Sequence, residues 1–283
     1  LILDTTKHFN GLLEFDAEAR TACVQPGMVL DNLNRFLKPH GLFYPVDVST
    51  ANRATLGGMT GNNSCGSRSI RYGNMVHNVL AIDGLLANGS QVHFKTLKDR
   101  QLTDEDPVQI ELFRKMLALG DREAQEIAQR FPDLLRRVGG YNIDVLTQQN
   151  PNMSHLLVGS EGTLAFFQRI HLKLQPLPVH KTLGVCHFPS FYEAMEATQH
   201  IVELNPSAVE LVDRTMIDLA RDIPLFAGTV DRFVQGEPQA LLLVEFSGEE
   251  QADQLHSLSQ LVELVESLGS GNSVVEATDN EFQ

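Results

Sequence analysis

Between Tyr44 and Tyr72 the chain gives up every hydrophobic period, and glycine, asparagine, serine and threonine take over. Polar connections of such length are uncommon inside compact domains and are usually functional when they occur. The stretch contains Pro45, Asp47, Thr55, Gly57, Gly58, Asn62, Asn63, Gly66 and Ser67, and Arg71-Tyr72-Gly73 follows. Glycine lets main chain approach a bulky ligand closely and turn its N–H groups toward an anion. The interleaved hydroxyl and amide side chains add neutral donors and acceptors. Together they suit a ligand carrying phosphates, hydroxyls and a hydrogen-bonding heterocycle, as a dinucleotide does. The pattern is neither the G-x-G-x-x-G that opens a helix after a strand nor the P-loop ending in Gly-Lys-Ser/Thr. A glycine-rich surface loop without a ligand remains the alternative reading of composition alone.

The flanking segments carry clear periods. Residues 1–27 read as strand, turn, strand, broken at Asn10-Gly11 and Asp16. Val29, Leu30, Leu33, Phe36 and Leu37 recur at helical spacing before Pro39 and Gly41. Residues 78–86 form a buried strand. From Asp104 to Arg137 the pattern predicts an exposed pair of helices with a break at Phe131-Pro132. Two apolar runs between Leu156 and Leu174 flank Gly159-Ser160-Glu161-Gly162-Thr163 and predict strand, tight turn, strand. Pro176 and Pro178 mark a linker. Beyond it, strands at 181–188, 208–212, 240–246 and 274–277 alternate with helices at 191–204, 215–220 and 249–268. That order predicts a ferredoxin-like sheet with helices on one face, left unfinished at Gln283.

A chain of 283 residues exceeds what one core usually holds, so two domains are expected, 1–178 and 179–283. No apolar run approaches the roughly 20 residues needed to cross a bilayer. Acidic residues outnumber basic ones, with a net charge of −14, which disfavours a nucleic acid partner. Cys23, Cys65 and Cys186 lie far apart and form no C-x-x-C pair, which fits a reducing, cytoplasmic setting, free or peripheral to the inner membrane. His155, His171, His180 and His187 fall near strand ends without H-x-H or H-E-x-x-H spacing, so no metal site is expected and each reads as structural. Cys65 reads as a small packing residue, and Glu210 and Asp213 as a solvated or capping face.

The Thr55-Leu56-Gly57-Gly58 stretch, the Asn62-Asn63 pair, Arg71-Tyr72-Gly73 and Gly159-Ser160-Glu161-Gly162-Thr163 together resemble the vanillyl-alcohol-oxidase-type FAD-binding fold. Within it the chain is similar to FAD-linked D-lactate, glycolate and D-2-hydroxyglutarate dehydrogenases, above all bacterial members with a C-terminal iron–sulfur region. The resemblance implies an α+β chain: an FAD-binding domain followed by part of an FAD-linked oxidase C-terminal domain. It implies that Thr55, Gly57, Gly58, Asn62, Asn63, Gly66 and Ser67 line the FAD diphosphate and ring, with Pro45 and Asp47 at the loop entrance. Gly73 belongs to the same set, and Glu161, Gly162 and Thr163 approach from the second turn. Relatives often carry proline where Val48 stands and glycine where Ala165 stands, which touches the detail of both loops. Gly139-Gly140-Tyr141-Asn142 sits where relatives place residues near the reactive face of the flavin, although Gly-Gly before an aromatic residue is also an ordinary turn.

The implied reaction is oxidation of a D-2-hydroxy acid to the 2-oxo acid, with hydride passing to flavin N5 and electrons going on to an acceptor. Relatives supply histidines, often with a metal, from a His-x-Gly-Asp-Gly-Asn-x-His type sequence beyond the 241–246 strand, and no such sequence occurs here. The catalytic residues are therefore expected beyond the C-terminus of this chain. The first phosphate-binding glycine loop is expected before Leu1, and the cysteine clusters of an iron–sulfur region after Gln283. As it stands the segment is expected to be catalytically incomplete and to hold FAD weakly or not at all. The alternatives are another FAD oxidoreductase of the same fold, such as a sugar oxidase or cell-wall reductase, and a non-catalytic scaffold.

Overall fold

In the computed structural model, residues 3–102, 106–134, 136–269 and 271–278 are described. The expected helix start at Asp104, the first two residues of the expected opening strand and the expected unfinished end at Gln283 lie outside them. The chain divides into two units, residues 1–177 and 178–283.

In the first unit, β1 (Leu12–Asp16) and β2 (Thr21–Val24) form a hairpin, and α1 (Leu30–Leu37) follows. Leu30, Leu33 and Leu37 recur at i, i+3 and i+7, and all three are buried. After β3 (Leu42–Phe43) come three short helices, α2 (Leu56–Asn62), α3 (Ser69–Tyr72) and α4 (Met75–Asn78). Next are β4 (Val79–Leu85), β5 (Gln91–Phe94), the long α5 (Pro107–Arg130), β6 (Phe166–Lys173) and the two-residue β7 (Gln175–Pro176). The main sheet runs β1-β2-β6-β4-β5, with every pair antiparallel. β6 therefore sits at its centre although it is the last of the five in sequence. Its core residues Ile170 and Leu172 are fully buried.

Three sequence expectations change here. The polar stretch is not all loop: Leu56, Met59 and Thr60 occupy one helical face and are buried, so α2 forms. Its glycines, poor helix formers, hid that period. The second helix expected before Arg137 is absent among the described residues. Phe131 is extended at φ −71°, ψ 119°, as a residue before proline prefers, and Pro132 cannot continue the ladder. The apolar run at 156–158 is not a strand: it closes a 3₁₀ turn, Met153–Leu156, and runs on as turn to Gly159. Short apolar runs do not distinguish strand from helical turn by period.

The second unit contains β8 (His180–Phe188), α6 (Phe191–Ile201), β9 (Ala208–Asp213), α7 (Arg214–Asp222), α8 (Pro224–Phe233), β10 (Ala240–Gly248), α9 (Gln251–Leu268) and β11 (Ser273–Ala277). The order β11-β8-β10-β9, all antiparallel, is that of a ferredoxin-like sheet. On one face Phe188, Leu242, Val244 and Phe246 pack with Ala194, Ala197, Leu258, Leu261 and Val265 of α6 and α9. The other face is not bare, as helices on one side only would leave it. Val185 and Leu241 meet Ile217 of α7, with Val230 and Phe233 of α8 beside them. Pro224 at its first turn starts α8, which the sequence reading missed. Asp213 caps α7 by accepting from the Met216 N–H at 2.8 Å.

Candidate functional site

Long-range hydrogen bonds join the two turns that the sequence separates by about a hundred residues. Thr55 starts α2, its hydroxyl accepting from the Gly58 N–H at 3.2 Å. Leu56 N donates to Met28 O and Gly57 N to Pro26 O, both at 2.7 Å, which ties α2 to the turn after β2. At the other end, Gly159 N donates to Thr60 O at 2.9 Å and Glu161 N to Gly61 O at 3.0 Å. Asn62 Nδ2 donates to Glu161 Oε1 at 3.0 Å. Glu161 is held at φ 51°, a left-handed conformation that carries strain for a residue with a Cβ and needs surrounding structure to fix it.

These contacts leave a cavity of about 450 Å³ lined by Thr55, Gly57, Gly58, Gly61, Glu161 and Gly162, with Pro26 and the Ala165–Phe167 wall opposite. That volume is in the range of small-molecule sites. A Cβ at Gly162 would meet nothing within 4 Å, and one at Gly58 only the Thr55 hydroxyl, at 3.2 Å. Both glycines thus leave space that an added side chain would fill. Gly57 differs, because its Cβ would come within 2.5 Å of Pro26, so its glycine serves the packing of the two turns. The lining offers hydroxyls, main chain, one carboxylate and aromatic surface. Among the described lining residues there is no lysine or arginine.

Of the residues singled out from sequence, Thr55, Gly57, Gly58, Glu161 and Gly162 line the cavity, and Asn62 reaches it through Glu161. The others lie outside its lining. Asp47 accepts from Ser67 Oγ at 2.9 Å and from the Arg68 N–H at 3.3 Å, and a Cβ at Gly66 would overlap it. Pro45 is buried just before it. Asn63, also buried, bridges Arg137 O and the Val76 N–H. Gly73 adopts φ 74° against the His77 ring. Thr163 donates to Ser160 O and meets the Tyr141 hydroxyl at 2.8 Å, so the Gly139–Asn142 segment is drawn to the second turn. Asn142 secures it from below, donating to His155 O and Val158 O. His155 is packed there with its pKa pushed down to about 4 by burial.

Sequence reasoning missed Pro26, Gly61 and the Phe166-Phe167 wall. The last could have been suspected from two adjacent aromatics opening a strand directly after a glycine turn.

A side-chain-poor cavity thus lies where the two glycine segments meet, in a unit built on an antiparallel sheet and followed in sequence by a ferredoxin-like unit. Residues 1–95 match the FAD binding domain family, and residues 177–283 match the C-terminal domain of FAD linked oxidases. The chain is thus similar to both domain families of FAD linked oxidases, each over less than half of its length. It is 31% identical over 261 residues to a D-2-hydroxyglutarate dehydrogenase of Pseudomonas putida, a match covering 89% of this chain and 26% of that protein. It is 26% identical over 263 residues to a D-lactate dehydrogenase of Archaeoglobus fulgidus, covering 92% of this chain and 47% of that one. The chain thus spans about a quarter to a half of the length of these relatives. Among solved structures, an alkyldihydroxyacetonephosphate synthase superposes with a TM-score of 0.67 at 17% identity, over 98% of this chain and 43% of the other, a likeness of fold. Among the described residues no helix is long and apolar enough to cross a membrane.

Proposed function

We propose that this chain is the flavin-holding part of a dehydrogenase that oxidises a D-2-hydroxy acid of the 2-hydroxyglutarate, lactate or glycolate type to the 2-oxo acid. The observation that carries the reading is the joining of Thr55–Gly58 and Glu161–Gly162 around one cavity whose glycines leave room for a ligand. The match of residues 1–95 to the FAD binding domain family and the names of the relatives support it.

The fit is one of shape and donor type. Thr55, Gly57, Gly58, Glu161 and Gly162 would hold FAD, with Phe166 and Phe167 excluding water from one side. When bound, the flavin supplies the hydride acceptor that no amino-acid side chain can provide. The protein's share is to orient: the Asn62–Glu161 hydrogen bond locks α2 to the second turn, and the Tyr141–Thr163 contact closes the neighbouring segment. Asp47 with Ser67, and Asn63 with Val76, act through the loop rather than on the ligand. The carboxylate-binding side chains, the base for the substrate hydroxyl and any iron–sulfur cluster that passes electrons to an acceptor would be supplied from outside these residues.

The test has two parts. FAD titration of the chain, read by quenching of flavin fluorescence, should show at most weak saturable binding, and Gly58→Val should remove it. In the natural protein that carries this sequence, dichlorophenol-indophenol should be reduced with D-2-hydroxyglutarate, D-lactate or glycolate. Dye reduction with none of these, in protein that holds FAD, would discard the substrate class while leaving the cofactor assignment.

A further inference from the structure

We infer that the outer face of the main sheet in the first unit carries a divalent transition-metal site made by Asp83, His93 and His171, separate from the glycine-lined cavity. The sequence expectation of no metal site rested on local spacing. The sheet defeats that test by bringing the three residues together from β4, β5 and β6. Asp83 stands directly across from His93 in the β4–β5 pairing, and His171 lies one pleat away on β6, paired with Ala81. Alternation along a strand puts such positions on one face.

The donor atoms converge. The Asp83 carboxylate turns one oxygen to each imidazole: Oδ1 meets His93 Nδ1, and Oδ2 lies 3.5 Å from His171 Nε2. One donor atom from each of the three residues lies within 4.8 Å of the others, and the rings stand edge to face with centroids 5.7 Å apart. Ligands about 2.0–2.2 Å from a shared zinc ion lie roughly 3–3.5 Å from one another, so a pair at that limit closes by about 1 Å, within reach of side-chain rotation. All three groups are partly exposed, which gives an ion a way in and leaves coordination positions for water. Two imidazoles and one carboxylate suit zinc, and also cobalt or nickel. Arg169 Nε lies 4.0 Å from Asp83 Oδ2 on a half-exposed side chain that can swing to solvent as the ion enters.

A nucleophilic reading of the same cluster fails. Cys23 Sγ is 3.8 Å from His171 Nε2, but that nitrogen is the one facing Asp83, so no relay runs through the ring. Burial, with the Glu14 and Asp83 carboxylates adding to it, pushes the thiol up to about 11. Cys23 is therefore a neighbour and not a ligand.

The experiment uses the whole untagged chain, stripped with chelator and desalted. Competition with a chromogenic chelator should show about one zinc bound per chain, and zinc should raise the thermal midpoint. Asp83→Asn, His93→Gln and His171→Gln should each weaken binding at least about tenfold, while Cys23→Ser should not. Cobalt substitution needs no variant to fold: the bound ion should absorb differently from the free ion and lack thiolate charge transfer. No stoichiometric zinc, unchanged binding in all three ligand variants, loss in Cys23→Ser, or a free-ion or thiolate spectrum would overturn the site. The result is independent of flavin binding.

Discussion

Both units pack an apolar core, but their shapes are specified by different means. In residues 178–283 nearly every strand and helix follows from period alone: β10 alternates buried faces between two helical layers, and α9 buries Leu258, Leu261 and Val265 in steps of three and four. In residues 1–177 the segment that matters most has little period, and its shape depends on bonds between residues far apart in sequence, such as Glu161 N to Gly61 O. Regular elements are positioned by packing along their whole length. The irregular segment is positioned by a few polar contacts beside the core and leaves space between them, and that space can be used for binding.

The comparison breaks most sharply at Gly58. Valine there should abolish saturable FAD binding, because its side chain enters the cavity beside Thr55, while circular dichroism stays that of the folded chain. Unchanged affinity in folded Gly58→Val would separate the glycines from the ligand. The converse probe is Phe188→Ala in the second unit. Phe188 is 1% exposed, and its loss should cost about 3–5 kcal/mol in urea unfolding of that unit, with FAD affinity unaltered. An equal effect on flavin binding would show that the units are not energetically separate.

A third probe is pH. His155, beneath the second turn, has its folded pKa lowered from 6.5 to about 4, so the unfolded chain takes up the proton first. Its contribution is complete above about pH 6.5 and is lost as pH falls toward 4, by about 3 kcal/mol at most. Denaturant midpoints measured across that window should fall, and His155→Gln should flatten the slope. Smallest is Asp213→Ala, which removes the α7 cap and should cost about 1 kcal/mol with no change in flavin affinity, as read by thermal unfolding.

These outcomes track how legible each part was. The second unit was readable because period 2 and period 3.6 report burial locally, and the element missed there, α8, has none of its residues fully buried. In the first unit the sequence did not separate Gly58 and Gly162, where a Cβ would meet at most the Thr55 hydroxyl, from Gly57, Gly66 and Gly73, where it would meet neighbouring chain, or from Asn63, whose amide ties the loop together. Composition shows that a backbone must come close to something. It does not show whether that something is a ligand or another turn.

By itself, the sequence determined the pair of glycine turns, the ferredoxin-like second unit and the resemblance to FAD-linked oxidases, since each is written in neighbouring residues. Tertiary structure alone decided that α2 forms, that Pro26 and Phe166-Phe167 wall the cavity, and that Asp83, His93 and His171 meet across three strands. The reason is that hydrogen bonds and strand pairing act between residues distant in the chain, and no local period records them.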